Sequence, residues 1–429
     1  MAQPILQTHS TSFRMVGLKN AIGEQNCFLN VVIQALWRLR CCRDFFFSIE
    51  DPWKKSNPVL VALTALMTEY KYSDEKILPP DQVRLALADV FTGLRRFQLG
   101  EMDDAGESFE AILTAMHGGE LDKPCKDRDI CLGHQVFALD FVNEEVCKMC
   151  KNYEHNEFGT MFSFHLYAQE VVETHEPTLS KVIRTVHRSK RKECNKCHGP
   201  NTVEANMVVI SLPKVWCVNL VWPTIEADRS LLRSVLKLIG ASLTDFRLDE
   251  AFSIPDGSGQ VASYLLSGMI CFYPGGHYVY FGLISPRSVM QSRGLLSSAS
   301  WAIFDDHQIK PVGTFEQVIE RCERAKYQPV CLFYEQCGVV IPLAIPMTSS
   351  SSSSQTSTNP PPPPQPTTTA TSSPTPIHHK TPPPQPSSSE AVTGTVLDVL
   401  LNPVHDILHP VLSLPSTIST SIARTSRRG

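Results

Sequence analysis

The sequence predicts an α+β domain in which a helical half precedes a sheet and a cleft opens between the two. Three observations carry that expectation. Apolar residues recur at helical intervals through roughly the first hundred residues. After Cys197 they gather into short β-branched and aromatic runs separated by Gly, Pro, Asp and Ser. Finally, 42% of the 429 residues are hydrophobic, enough to fill a core shared by both halves.

The helical half begins with CFLNVVIQALWRL (27–39), where Phe28, Val31, Val32, Ala35, Leu36 and Leu39 share one face. The stretches NPVLVALTALMTEYKY (57–72) and PPDQVRLALADVF (79–91) repeat the pattern. The strand-like runs are TVEANMVVISL (202–212), VWCVNLVW (215–222), YLLSGMICFY (264–273), HYVYFGLI (277–284), SWAIFDD (300–306) and PVCLFYE (329–335). They are expected to form an antiparallel sheet. Cys217, Cys271 and Cys331 lie within such runs and read as small core residues. A domain over 15–340 follows a flexible N-terminus at 1–14. From Met347 to Glu390 the chain is almost pure Ser, Thr, Pro and Gln, too poor in apolar side chains to offset the entropy of folding. The whole segment 347–429 reads as a disordered tail. The five prolines at 360–364 could dock an aromatic groove on a partner, and the apolar stretch 392–412 could form short binding turns.

A formal charge of −4 gives none of the basic excess that drives phosphate-backbone binding, so no nucleic-acid partner is expected. The start MAQPILQTHSTSF lacks a charged segment followed by a long apolar run, and no stretch has the roughly 18 apolar residues of a membrane span. A cytoplasmic or nuclear protein is expected. In such a chain, fourteen cysteines point to metal binding or catalysis rather than disulfides.

Cys27 follows the short polar loop Gly23-Glu24-Gln25-Asn26 and opens the first helix, where the helix dipole and unpaired N–H groups favour a thiolate. A nucleophilic cysteine needs a base, and the base needs an orienting group, both usually remote in sequence. YPGGHYVYFGL supplies His277 at a strand start, behind Gly275 and Gly276, which leave room for an extended peptide. WAIFDD ends the next strand with Asp305 and Asp306, either of which could meet His277 across an antiparallel pair. Separately, Cys147-Lys-Met-Cys150 and Cys194-Asn-Lys-Cys197 have the spacing with which two knuckles grip one tetrahedral zinc. Four sulfurs leave no open position, so that zinc would be structural. PCKDRDICLGHQVF adds Cys125, Cys131 and His134, three further candidate zinc ligands without an evident fourth.

Together, GLKNAIGEQNCFLN, GGHYVYF and WAIFDD resemble the cysteine box, histidine box and following acidic strand of the ubiquitin-specific proteases. GEMDDAGESFEAILTAMH (100–117) is similar to that family's Gln-x-Asp-Ala-x-Glu-Phe helix, which faces the tail of ubiquitin. The resemblance covers about 15–336 and is greatest to a divergent branch that includes animal members labelled inactive and plant proteins with a related domain. It implies a papain-like cysteine protease fold with helical thumb, antiparallel palm and zinc-ribbon fingers at about 147–197. It also implies a thiol-dependent deubiquitinase that cuts after the C-terminal glycine of ubiquitin. Cys27 would be the nucleophile, His277 the general base and Asp305 its orienting acid, with Asp306 as second choice. Asp104 and Glu107 would face the basic tail of ubiquitin, and Gly275 and Gly276 would line a channel too narrow for side chains. The family's oxyanion-holding Asn stands five residues before the cysteine. Here its counterpart is Asn20, seven residues before, so Asn20, Gln25 or Asn26 could supply the donor. Met102 stands where the acidic helix usually begins with Gln. A ubiquitin-binding scaffold of the same fold without turnover is the alternative.

Overall fold

Helices build the first third of the domain because their apolar residues fall on one stripe that a neighbour can cover. The computed structural model describes residues 15–48, 52–119, 121, 125, 127–255, 263–284 and 299–336, all within one unit, Met1–Ile341. The expected flexible N-terminus and Ser/Thr/Pro-rich tail lie outside the described residues.

A two-residue strand β1 (Gly17–Leu18) precedes α1 (Cys27–Arg38), α2 (Arg40–Ser48), α3 (Pro52–Ser56) and α4 (Pro58–Tyr72). β2 (Ile77–Leu78) pairs in parallel with β1, and α5 (Asp81–Val90) and α6 (Ala105–His117) complete the thumb. Asn57 caps α4 by accepting from Val59 N and Leu60 N, with Pro58 at the first helical position, where its missing N–H costs nothing. Within α1, every residue from Cys27 to Trp37 is buried, so this helix is a central pillar rather than a surface amphipath.

The short helix α7 (Leu132–Phe137) leads into the fingers: β3 (Leu139–Cys147), β4 (Tyr153–Met161), β6 (Arg191–Lys192) and β7 (Val203–Ser211), in sheet order β4-β3-β7-β6. Between them run β5 (Phe164–Tyr167), α8 (Ala168–Glu173) and α9 (Leu179–Ser189). The palm adds β8 (Val215–Val221), α10 (Arg229–Ala241), β9 (Phe246–Arg247), α11 (Leu248–Ala251), β10 (Ser263–Tyr273) and β11 (His277–Leu283). It closes with β12 (Trp301–Asp305), β13 (Gln308–Gly313), α12 (Phe315–Ala325) and β14 (Gln328–Gln336). Its sheet order is β13-β12-β11-β10-β14-β8-β5, with β9 alongside β10.

The palm alternates with period two between separate cores. Val215, Cys217, Ile270, Tyr278, Tyr280, Phe304, Cys331 and Phe333 pack on the thumb helices. Their neighbours Trp216, Val218, Met269, Cys271, Val279, Phe281, Ile303 and Leu332 pack with residues of α9, α10 and α12 on the other face. Burial on both faces explains why these strands read as continuous apolar runs. Cys217, Cys271 and Cys331 are fully buried, and loss of water drives their thiols far above the ordinary range, as expected of inert core residues.

Two features depart from the expected helices-then-sheet order. Strands β3, β4 and β5 arise before Cys197, and α10 and α12 are interleaved with the palm, where Leu232, Val235, Leu236 and Ile239 give α10 a buried stripe. The palm is antiparallel except at one edge, where β5 pairs in parallel with β8.

Trp216 has no exposed surface and lies 6.0 Å edge-on to Phe252 and 6.3 Å from Phe164, measured between ring centroids. Trp216→Ala is expected to cost about 3–5 kcal/mol in chemical denaturation. Met149→Ala, at a fingertip side chain 66% exposed, should change stability by less than about 0.5 kcal/mol.

Candidate active site

The loop before α1 contains Gly23 at φ 86° and Gln25 at φ 55°, a tight path that brings Cys27 to the helix start. Arg84 of α5, with no exposed surface, holds that path. Its guanidinium donates to Glu24 O at 2.5 Å, Gln25 O at 2.8 Å and Asn26 Oδ1 at 2.7 Å. It donates also to Phe97 O at 3.2 Å, to Gln98 O and to Glu101 O at 2.5 Å. The same group lies over the Phe28 ring, 5.0 Å from its centroid. Sequence reasoning missed Arg84. The available signal was a cationic side chain at a helix position flanked by the apolar Val83 and Leu87.

Asn26 makes no side-chain cap on α1; its Oδ1 is taken by Arg84. The helix therefore opens without a side-chain acceptor over its first N–H groups, beside the Cys27 sulfur. Asn20 lies beneath the loop. Its Oδ1 accepts from Asn26 N at 2.9 Å and its Nδ2 donates to Asp306 Oδ2 at 2.8 Å. These bonds make Asn20 a strut between the loop and the β12–β13 turn. Gln25 is exposed and Asn26 fully buried.

The ladder between β11 and β12 runs antiparallel through Tyr280 opposite Phe304, which carries His277 at the start of one strand toward Asp305 at the end of the other. His277 Nε2 donates to Asp305 Oδ1 at 2.7 Å. That bond, together with hydrogen bonding to Cys27, pushes the imidazole up to about 10 against the opposing effect of burial. The reciprocal attraction holds the Asp305 carboxyl below its ordinary range. Cys27, His277 and Asp305, 278 residues apart in the chain at the extremes, thus meet at one place.

Asp306 does different work. Its Oδ1 accepts from Asn30 at 2.7 Å and its Oδ2 from Asn20, while its backbone carbonyl accepts from Leu18 N at 3.0 Å and from Gln34 Nε2 at 2.8 Å. Burial raises its carboxyl despite these bonds. Asp306 therefore ties the cysteine box to the palm, with Asp305 left to the histidine. A Cβ on Gly17 would meet His307 Cα and O at 2.5 Å, so only glycine lets β1 approach this turn.

The remaining expected site residues sit around this centre. Asp104 caps α6 by accepting from Glu107 N at 3.0 Å, and its other oxygen accepts from Tyr278 OH at 2.8 Å. Glu107 pairs with Arg96. Both carboxylates thus already have partners within the chain. Gly276 has φ 80°, and the space where its Cβ would stand is open, so the turn rather than crowding calls for glycine there. A Cβ on Gly275 would approach the Tyr273 ring at 3.0 Å. Met102 was noted only as a departure from a pattern, yet its sulfur lies 3.7 Å from Cys27 Sγ, against the candidate nucleophile.

At the end of the fingers, Cys147, Cys150, Cys194 and Cys197 bring four sulfurs within 4.8 Å of one another. Cys147 to Cys197 and Cys150 to Cys194 are each 3.7 Å, close to the edge of about 3.8 Å in a tetrahedron with metal–sulfur bonds of about 2.3 Å. The two knuckles close alike: Lys151 N donates to Cys147 O and His198 N to Cys194 O, with Lys151 and His198 both left-handed. Apart from Val203, the buried cluster here consists of cysteines. The four residues could hold a metal ion.

The sequence profile of the ubiquitin carboxyl-terminal hydrolase family matches residues 16–334. Among curated proteins, the chain is 29% identical over 336 residues to human ubiquitin carboxyl-terminal hydrolase 53, covering 74% of this chain and 30% of that protein. It is 28% identical over 336 residues to mouse ubiquitin carboxyl-terminal hydrolase 54, covering 74% of this chain and 20% of that one. The chain thus spans less than a third of the length of these relatives. Among solved structures, it matches a chain of the SAGA DUB module bound to monoubiquitin with a TM-score of 0.50 at 17% identity, covering 77% of this chain and 71% of that one. That likeness speaks to the fold. Among the described residues, no helix is long and apolar enough to cross a membrane. The profile match, over most of a domain in which a cysteine, a histidine and an aspartate meet, places this chain in the ubiquitin carboxyl-terminal hydrolase family, as a member of its ubiquitin-specific protease type.

Proposed function

We propose that the protein is a thiol-dependent deubiquitinase that hydrolyses the peptide or isopeptide bond after the C-terminal glycine of ubiquitin. The observation that carries the reading is the His277–Asp305 bond of 2.7 Å beside Cys27, within a domain of this family. A histidine held as imidazolium next to a cysteine pairs with a thiolate. The Cys27 sulfur attacks the glycine carbonyl, and the oxyanion is received by N–H groups at the α1 start. His277 then gives its proton to the leaving lysine amine and takes one from the water that clears the acyl-enzyme. Asp305 orients the ring. Asn20 and Asp306 are positioning residues that fix the loop, and Asp104 and Glu107 would face the basic tail of ubiquitin. The four finger cysteines would hold a structural zinc, which joins β3 and β7 at an end with almost no apolar core. Ubiquitin or a ubiquitin chain is the partner this reading requires, in the cytoplasm or nucleus. Recognition of the proline run at 360–364 by a second partner would be separate from it.

Two observations favour the scaffold alternative. The Met102 side chain occupies the space beside the Cys27 sulfur, and Asn20 spends its amide N–H on Asp306. Reaction with ubiquitin carrying a C-terminal electrophile separates the readings. A deubiquitinase is labelled at Cys27 and loses labelling in Cys27→Ala, whereas a scaffold binds ubiquitin without labelling.

His277→Ala should lower kcat/KM for ubiquitin chains by about 10²- to 10⁴-fold with little change in ubiquitin affinity. The alkaline limb of the pH profile of the intact protein should fall near about 10, as the imidazolium loses its proton. Since the bond to Asp305 is the largest cause of that elevation, Asp305→Asn should move the alkaline limb downward; an unmoved limb would remove Asp305 from its assigned place.

Arg84→Ala strands several buried carbonyls, each worth about 1–3 kcal/mol when unsatisfied. It should lower the melting temperature and slow electrophile labelling of Cys27. Arg84→Lys should not rescue it, because an ammonium cannot reproduce the fork that reaches both loops.

Zinc content is expected at the finger site in elemental analysis. Cys194→Ser should remove it and destabilise the domain to thermal melting.

A further inference from the structure

Far from Cys27, the second cysteine cluster in the sequence meets a residue that no spacing rule had joined to it. His117 is the last residue of α6, and Gly118 at φ 79° turns the chain immediately after it. Cys125, Cys131 and His134 approach from the following loop and the start of α7. Their ligand atoms and that of His117 all lie within 4.8 Å of one another. His134 Nδ1 stands 3.2 Å from Cys125 Sγ and 3.3 Å from Cys131 Sγ. A tetrahedral zinc with bonds of about 2.3 Å to sulfur and about 2.0–2.1 Å to nitrogen has sulfur–nitrogen edges of about 3.6 Å, a few tenths longer.

The surroundings suit a metal better than a chance cluster of side chains. His117 Nδ1 lies 3.3 Å from Gly119 O; a carbonyl can only accept, so this contact places the ring proton on Nδ1 and leaves Nε2 its lone pair. A backbone carbonyl behind the non-ligating nitrogen is the usual way a metal-bound imidazole is oriented. Cys131 Sγ accepts from His134 N at 3.5 Å, capping α7 with its sulfur inside the cluster. The Phe162 ring packs edge-on against both imidazoles, with centroids 5.3 Å from His117 and 5.5 Å from His134. Gly133 permits the approach: a Cβ there would stand 3.3 Å from that ring and 3.5 Å from His117 Cα. His117 and Cys131 are buried. Two thiols and two imidazoles are weak hydrogen-bonding company for one another, but they form a complete Cys₂His₂ set.

We propose that His117, Cys125, Cys131 and His134 hold a second, structural zinc ion that pins the C-terminal end of α6 to the loop and helix from which the fingers spring. Four protein ligands leave no open position, so this ion takes no part in the chemistry at Cys27. It fixes the helix that carries Asp104 at one end relative to β3 at the other. The inference does not depend on ubiquitin hydrolysis.

Metal content of the purified full chain, without added chelator, provides the test. Elemental analysis should give about two zinc ions per chain in the wild type and about one in each of Cys131→Ser and Cys194→Ser. Because Cys131→Ser could fail to fold, zinc-edge X-ray absorption of the wild-type protein gives an independent reading. Two sites give an average of about three sulfurs and one nitrogen per zinc, whereas the finger site alone gives about four sulfurs. One zinc per chain in an all-sulfur shell would overturn the proposal. So would two zinc ions per chain that persist unchanged in Cys131→Ser.

Discussion

The candidate site depends on a single buried guanidinium. Arg84 satisfies carbonyls from the loop before Cys27 and from the loop at 97–101, two segments that have no sheet or helix to order them. A loop that must turn through left-handed residues and end at a helix start exposes more carbonyls than its own amides can serve. The five N–H donors of one arginine do that without protein–water exchange. Asp306 is the complementary device on the other side: an anion that receives Asn20, Asn30 and, through its carbonyl, Gln34 and Leu18. A cation and an anion, each buried and each bonded almost wholly to neutral groups, thereby fix the sulfur relative to the palm.

This arrangement separates holding from reacting. Asp305 ends β12 and Asp306 opens the turn to β13 in the left-handed conformation, so the two neighbouring carboxylates part, one toward His277 and the other toward the cysteine box. Asp305 meets His277, which remains partly exposed, while Asp306 is 8% exposed and meets amides. The consequence is electrostatic. Asp305 is held ionised by the imidazolium, whereas desolvation dominates at Asp306.

Much of this was legible in the sequence, for physical reasons. α1, α4 and α5 announced themselves because long apolar stripes leave no other way to be buried, and the palm strands because both of their faces are covered. The two CxxC knuckles were legible because a short turn must supply both sulfurs. The first two finger strands were not. The sequences of β3 and β4, LDFVNEEVC and YEHNEFGTM, have no clean alternation, and their order comes from the pairing of β3 with both β4 and β7 beside the cysteine cluster. α10 was passed over as part of a sheet half although Leu232, Val235, Leu236 and Ile239 carry a helical period. Arg84 and His117 were illegible for a different reason: each sits in a helix whose visible pattern is explained by other residues, and its partners are loop atoms that no periodicity predicts.

The fingers also show why a cluster of cysteines belongs where it does. β3 runs from Leu139, buried against the palm core, to Cys147, where the buried cluster among the described residues consists of cysteines and Val203. A two-sided ribbon of this kind cannot bury enough apolar surface to offset its own conformational entropy, and hydrogen bonds to the next strand contribute too little by themselves. A metal held by the four finger cysteines would supply free energy without apolar area, at the very end where area is lacking. At the other end of β3, α7 leads into the strand from the partly buried cluster of His117, Cys125, Cys131 and His134, so that a candidate ligand set lies near each end of the ribbon, with palm core under Leu139 as well. Stiffness then reaches from the tip of the fingers to α6, whose first residue is capped by Asp104 beside Tyr278, one residue from His277. The two candidate ligand sets and the candidate catalytic residues, which the sequence scatters over more than two hundred positions, are in this way joined through one continuous run of strands and helices.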